Sequence, residues 1–391
     1  MVKMNILNAL GRPTWAEIDL SLLGSNIREF QRMLPDNVKM MAVIKADGYG
    51  HGAVEVARVA IDEGVSMLGV ASLEEGLALR LNRVDAPILI LGHTCSKQCQ
   101  FLLNNELTPS IFDWETASSL SSRAESQGRV VGVHVKCDTG MGRLGLSNQR
   151  EALHFLEKVC ALPGLRLDGV FTHFSTADEG DRNFTLKQLR LLQDILKVCR
   201  EKNVLIPLKH AANSAAAINY PETHLDMVRI GIGLYGYYPS KEINREKIQI
   251  APVASLKTRI ILLKRVSAGT PVSYGRTFVT LKDTSIAVVP LGYGDGYSRS
   301  LSNVGTMLVR GQKVPIVGMV CMDMCMLDVS NVPYVKEGDE VVAIGTQGDE
   351  QISADDLALQ LGTISYEVLC NISPRVPRIY YANGMILNKD L

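Results

Sequence analysis

No uncharged apolar run in this sequence approaches the roughly 18 residues that a membrane-spanning helix needs; stretches such as 230–240 are short and rich in glycine and tyrosine. A bilayer-spanning protein is therefore not expected. Net charge is missing as well: 41 Lys+Arg balance 41 Asp+Glu, so no general field draws in nucleic acid or an anionic membrane. Eight scattered cysteines are too few for a disulfide framework, and no Cys-x-x-Cys occurs. The closest pairs are Cys95 with Cys99 and Cys321 with Cys325, so reduced thiols and no metal site are expected. Residues 1–10 carry one lysine and a weak apolar stretch without a small-residue cleavage signal, which makes the cytoplasm the default compartment. Long repeats and low-complexity linkers are absent too.

What is present suits a soluble globular chain with a deep core: 46% hydrophobic and 21% charged residues over 391 positions, enough for one large domain and a smaller second one. A strand-like segment at 14–19 and an amphipathic helix near 20–33 come first. Eight short β-rich apolar runs then alternate with helical periodicity, at 38–46, 66–71, 87–92, 107–112, 130–137, 165–174, 206–211 and 226–232. Eight strand-then-helix units in about 200 residues fit a closed (β/α)8 barrel of the TIM type, with an open doubly wound sheet as the alternative. After Tyr238-Pro239 the texture becomes all-β, with runs at 253–263, 284–290, 305–310, 314–320, 325–329 and 340–344. One helical piece at 353–361 interrupts it before a closing stretch at 366–381. The expected division is a barrel over 1–240 and a predominantly β domain over 241–391, with the first 14–19 residues open to pairing with the β domain.

Active sites in such barrels lie at the carboxyl ends of the strands. Lys45, His173, His210 and Arg229 each fall at or near the end of a candidate strand, and Arg143 follows the fifth in Asp138-Thr139-Gly140-Met141-Gly142-Arg143. Singly, each is better explained as solvated surface or a satisfied core polar group; five converging on one rim is harder to dismiss. Lys45 sits where an apolar strand runs into Lys45-Ala46-Asp47-Gly48-Tyr49-Gly50-His51-Gly52, a Gly-rich turn expected to open a helix. A lysine at the end of a buried strand is costly to keep charged, as a carbonyl-attacking lysine requires. Asn213-Ser214 and Arg229-Ile230-Gly231-Ile232-Gly233 follow strands seven and eight, where barrels commonly seat a phosphate. Lysine and phosphate seat together suggest pyridoxal 5′-phosphate.

These runs, with Val272-Ser273-Tyr274-Gly275-Arg276, Leu291-Gly292-Tyr293-Gly294-Asp295-Gly296-Tyr297-Ser298-Arg299 and Cys321-Met322-Asp323, resemble the bacterial alanine racemase family over nearly the whole chain. The resemblance implies a homodimer with shared active sites and a small-molecule amino-acid substrate. Lys45 would hold the cofactor and act as one base at the substrate α-carbon, with Tyr274 of the partner subunit as the other. Cofactor contacts would come from Lys45, Tyr49, His173, Asn213, Ser214, Arg229, Gly231, Ile232 and Tyr366. Arg143, Met322 and Tyr293 would meet the substrate, supported from behind by Lys136, His210 and Asp323. Lys136 matches a family lysine that is often carbamylated to position the arginine. The family role implied for the chain is D-alanine supply for peptidoglycan.

Departures are mild: Asp47-Gly48 where relatives often have Asn-Ala, Cys137 within the arginine motif, and Gly294 at a common Ala position. Tyr366 favours alanine over serine, because serine-racemising relatives tend to have a smaller residue there. Three rivals stand: a serine or broad-specificity racemase, a decarboxylase on the same barrel, and a non-enzymatic PLP-binding protein. The decarboxylase is opposed by Arg229 and by the absence of any Gly-Gly pair.

Overall fold

Runs rich in Val, Ile, Leu and Met at regular spacing can be buried on both faces only when helices cover the outside and side chains fill the inside, the situation of a parallel barrel. The computed structural model describes residues 12–387 and resolves such a barrel. Residues 1–10, with the reading of a missing secretory signal, lie outside the described residues.

The described chain divides into two units, one of Gly24–Gly48 and Ala53–Ile250, the other of the segment ending at Leu23, Tyr49–Gly52 and the chain from Ala251 onward. A first strand, β1 (Thr14–Asp19), belongs to the second unit. The barrel strands are β2 (Lys39–Val43), β3 (Met67–Val70), β4 (Ile88–Ile90), β5 (Thr108–Ile111), β6 (Val131–Lys136), β7 (Leu165–Phe171), β8 (Leu208–His210) and β9 (Met227–Ile230). All eight pair in parallel, and the circle closes where β9 meets β2 with Met41 opposite Arg229. The (β/α)8 expectation holds and the open sheet is excluded. Each strand is shorter than its apolar run because the flanking residues enter the loops.

Helices such as Asn183–Glu201 cover the barrel through a stripe including Leu189, Leu192, Ile195 and Cys199, all buried. Side-chain caps set several starts: Ser72, Asp113, Asn148 and Asn213 each accept a backbone N–H from the first turn of the helix that follows. No helix among the described residues is long and apolar enough to cross a membrane.

In the second unit, β10 (Ala254–Arg259) lies between antiparallel β1 and Glu340–Gln347. Arg378–Ala382 pairs in parallel on the other side of β1, and the sheet extends outward through Thr306–Val309 and Gln312–Pro315. Trp15 is fully buried against Ile379 and Tyr381. A three-stranded sheet, Leu262–Val266, Thr284–Val289 and Cys325–Asp328, and a two-stranded one, Pro271–Val272 with Phe278–Val279, complete the β architecture. The run at 253–263 thus breaks into two strands in different sheets, and the stretch at 366–381 holds the helix Ser365–Cys370 ahead of its strand.

Candidate active site

The chain leaves β2 through Ile44 and Lys45 into a Gly-rich turn, as the sequence suggests. Ala46, Asp47, Gly48 and Tyr49 all take left-handed conformations, with φ of 52°, 53°, 62° and 53°. For the three non-glycine residues this costs about 1–2 kcal/mol each. The helix begins only at Ala53. Local bonds hold the turn: Gly48 N–H donates to the Ile44 carbonyl at 2.8 Å, and Ala53 N–H donates to Asp47 Oδ1 at 2.8 Å.

At the ends of β7, β8 and β9 lies a buried polar chain. Arg229, 3% exposed, donates through Nη1 to His210 Nδ1 at 3.0 Å and through Nη2 to His173 Nδ1 at 3.1 Å. Nη2 also donates to the Thr172 and Ala211 carbonyls, both at 2.8 Å. A guanidinium only donates, so both imidazoles accept through Nδ1 and carry their proton on Nε2. His210 Nε2 then donates to His134 Nδ1 at 2.9 Å, which fixes a third tautomer. Desolvation brings His134 down to about 4, with Asp168 pulling the other way and Arg229 adding to the effect. His210 and His173 are held well below the ordinary histidine value, by desolvation first and Arg229 next. All three are neutral at pH 7. Burial lowers Arg229 to about 9, which leaves it cationic.

Phe171 organises the same region, with His210 stacked on its ring at 4.7 Å, the Lys136 amine 5.2 Å from the centroid and the Arg229 guanidinium 5.5 Å from it. Desolvation lowers Lys136 to about 8, reinforced by Arg143, Arg229 and Lys45 and opposed by Asp138. Asp138 faces the other way. Its Oδ1 accepts the N–H groups of Gly140, Met141 and Gly142, and Oδ2 that of Arg143 at 2.8 Å, shaping the loop that presents Arg143. Lys45, Lys136, Arg143 and Arg229 therefore crowd His173, and none of Arg229's described partners is a carboxylate.

Asn213 caps the helix Ser214–Asn219 through Ala216 N–H at 3.0 Å, and Ser214 Oγ accepts the Gly231 N–H at 2.9 Å. That hydrogen bond stitches the loop after β8 to the loop after β9. The Gly231 amide, expected to meet a phosphate, is thus engaged by Ser214; a phosphate oxygen would replace that hydroxyl as acceptor. Gly231 and Ile232 are buried beside it. The fit to pyridoxal phosphate rests on charge. Four cations with one diverted carboxylate form a site that an anionic cofactor and an anionic substrate would neutralise.

The other expected residues belong to the second unit. Tyr49 and Tyr366 meet at a ring distance of 6.0 Å. Tyr274 is 72% exposed at the edge of a groove of about 480 Å³ whose lining includes Val272, Ser273, Cys321 and Met326. Tyr293 and Met322 are exposed too, and their loops are tied by Tyr293 N–H to the Cys321 carbonyl at 3.0 Å and Gly294 N–H to the Met322 carbonyl at 2.9 Å. Asp323 Oδ1 accepts from Arg375 Nη2 at 2.5 Å. Arg375 and Arg12 also converge on the fully buried Asp295. Sequence reasoning missed His134, Asp138, Phe171 and Glu75. The first three lie within or beside motifs already singled out, and Glu75 sits in a visible Ser72-x-x-Glu75 helix-start pattern.

The fold is that of a known enzyme class. Residues 18–239 match the family model "Alanine racemase, N-terminal domain", and residues 253–380 match "Alanine racemase, C-terminal domain". An alanine racemase of Halothermothrix orenii is 47% identical over 369 residues, covering 94% of this chain and 97% of the relative. The solved alanine racemase of Clostridium difficile 630 superposes with a TM-score of 0.93 at 38% identity, covering 97% of this chain and 98% of that one. A histidine racemase from Leuconostoc mesenteroides also superposes, at 29% identity and a TM-score of 0.88, covering 95% of this chain and 99% of that one. The chain belongs to the alanine racemase family. It is an enzyme, an amino-acid racemase, which removes the non-enzymatic alternative.

Proposed function

We propose that the protein interconverts L- and D-alanine with pyridoxal 5′-phosphate as cofactor. The observation that carries this reading is Arg229, a buried guanidinium held by two neutral imidazoles and two carbonyls inside a ring of cations. A cofactor nitrogen facing Arg229 would meet only donors and stay unprotonated, which favours return of a proton to the α-carbon over loss of the amino group. A decarboxylase on this barrel would present a carboxylate there.

Lys45 would hold the cofactor, and Tyr49, Asn213, Ser214, Gly231, Ile232 and Tyr366 would bind its phosphate end. When bound, the cofactor supplies an electron-withdrawing ring that acidifies the substrate's α-hydrogen. The chain itself supplies the proton handling. Lys45 removes or returns the α-proton on one face, and the hydroxyl oxygen of Tyr274 of the partner subunit serves the other. His173, its Nδ1 occupied by Arg229, has Nε2–H left as a donor toward that oxygen. Arg143 binds the substrate carboxylate, aided by Met322 and narrowed by Tyr293. The exposure of Tyr274 supports a role on a second copy of the chain, hence a homodimer. The reading extends to a cytoplasmic enzyme supplying D-alanine for peptidoglycan.

Alanine is favoured over serine by Tyr366, although one pocket residue changes discrimination by only about 1–3 kcal/mol. Chiral separation after incubating the cofactor-loaded protein with L-alanine, L-serine or L-histidine tests the substrate. The expected result is D-alanine formed about tenfold faster than the other products, as that discrimination range gives. Faster conversion of serine or histidine would reassign the substrate.

A further inference from the structure

Both peptide groups that bracket the Cα of Lys45 are tied down. The carbonyl before it, on Ile44, accepts Gly48 N–H at 2.8 Å. The N–H after it, on Ala46, donates to Glu75 Oε1 at 2.8 Å, a residue from the next strand–helix unit. The other oxygen, Glu75 Oε2, accepts Ala71 N–H at 2.7 Å, at the end of β3.

Glu75 is the third residue of the helix Leu73–Leu81, whose N-cap is Ser72. Ser72 Oγ accepts Glu75 N–H at 3.5 Å, the first half of a capping box. In the second half the glutamate would fold back onto the N-cap's own N–H. Here its carboxylate reaches past that group and spans the loops after two adjacent barrel strands. A helix-start residue is thus diverted to hold a turn whose backbone is strained at Ala46, Asp47 and Tyr49.

We infer that Glu75 is a positioning residue for Lys45: by clamping the Ala46 and Ala71 amides it fixes the backbone from which the lysine amine is presented. This rests on Lys45 being the cofactor-bearing base. Without the clamp the left-handed turn is free to relax, and the amine moves off the substrate's α-carbon while Arg143 and the carboxylate-binding groups stay where they are. The loss therefore falls on kcat.

The test uses the cofactor-loaded enzyme with Glu75→Ala and Glu75→Gln. Glu75→Gln keeps one acceptor and loses one clamped amide, so it lies between wild type and Glu75→Ala. The expected loss for Glu75→Ala is on the order of 100-fold in kcat, the size a misplacement of about 1 Å can produce, with KM for L-alanine unchanged. Hydrogen exchange of the peptide spanning residues 44–50 should quicken in both variants, also without cofactor. If Glu75→Ala does not fold, the Glu75→Gln kcat and exchange decide alone. A lowered melting temperature with kcat per bound cofactor at the wild-type value would overturn the proposal, as would unchanged exchange at 44–50. A Lys45→Ala protein that still turns over would refute the role of Lys45 itself, whatever Glu75 does.

Discussion

Lys136 is the most exposed of the site's residues to quantitative test, because its environment sets how much neutral amine exists. The residue is 5% exposed, and its amine is lowered from 10.5 to about 8, by desolvation and then by Arg143, Arg229 and Lys45. At pH 7 about one molecule in ten then carries the neutral amine, some 300-fold more than at the unperturbed value. Carbon dioxide reacts with that neutral form, and the carbamate it yields is an anion among three cations. We expect Lys136 to be carbamylated in bicarbonate buffer near pH 8, visible as the added mass of one CO2 in native mass spectrometry and lost on acidification. Removing bicarbonate should raise KM for L-alanine more than it lowers kcat, since Arg143 is the group affected. The sign of the stability effect follows for the unmodified amine. The unfolded chain keeps its proton up to about 10.4 while the folded chain releases it near 8, so stability rises with pH between those values, by about 3 kcal/mol in all. Carbamylation should deliver much of that gain at neutral pH. An unmodified Lys136 in bicarbonate-saturated buffer, with full activity and no change in melting temperature, would refute the reasoning.

Other outcomes follow from the same geometry. Tyr274→Phe should cripple α-proton exchange starting from one alanine enantiomer far more than from the other; equal losses in both would contradict two bases on opposite faces. Asp295→Asn should lower stability by about 2–3 kcal/mol, roughly 5–10 °C in melting temperature, because the buried carboxylate accepts from Arg12, Arg375 and Gly292 N–H. Burial opposes ionisation there, but those bonds outweigh it and hold the carboxyl below its ordinary range. The stabilisation is thus present above about 3.9 and fades as pH falls through the lower folded value, which acid titration of the wild type against Asp295→Asn would reveal. Gly169→Ala would put a Cβ 2.7 Å from the His134 ring and 2.9 Å from the Leu208 carbonyl, so a loss of about 1–3 kcal/mol is expected in chemical denaturation.

The barrel was legible because its parallel strands are buried on both faces and so appear as unbroken apolar runs between helix-period segments. The second unit was legible as β texture with one helix and a first strand open to joining it, but its strand order was not. Its main sheet places β1 between β10 and Arg378–Ala382, a pairing across most of the chain that no local pattern encodes. The Gly-rich turn after Lys45 and the helix it opens were legible, but the turn's left-handed course was not, because Ala46 and Asp47 have no intrinsic preference for that backbone; bonds to Glu75 and from Ala53 hold it. The strand-end positions of Lys45, His173, His210 and Arg229 could be read from spacing. Neither the diversion of Glu75 nor the continuation of the Arg229 chain into His134 could, since each depends on contacts between neighbouring strand–loop units.

The central claim is that Lys45 serves a reversible proton transfer at the α-carbon of alanine. It is tested most directly by turning over L-alanine in deuterated water with cofactor-loaded wild type and Lys45→Ala. The account predicts D-alanine carrying deuterium at the α-carbon from the wild type, and neither product nor exchange from Lys45→Ala. D-alanine that keeps its original α-hydrogen, or normal exchange by Lys45→Ala, would contradict it.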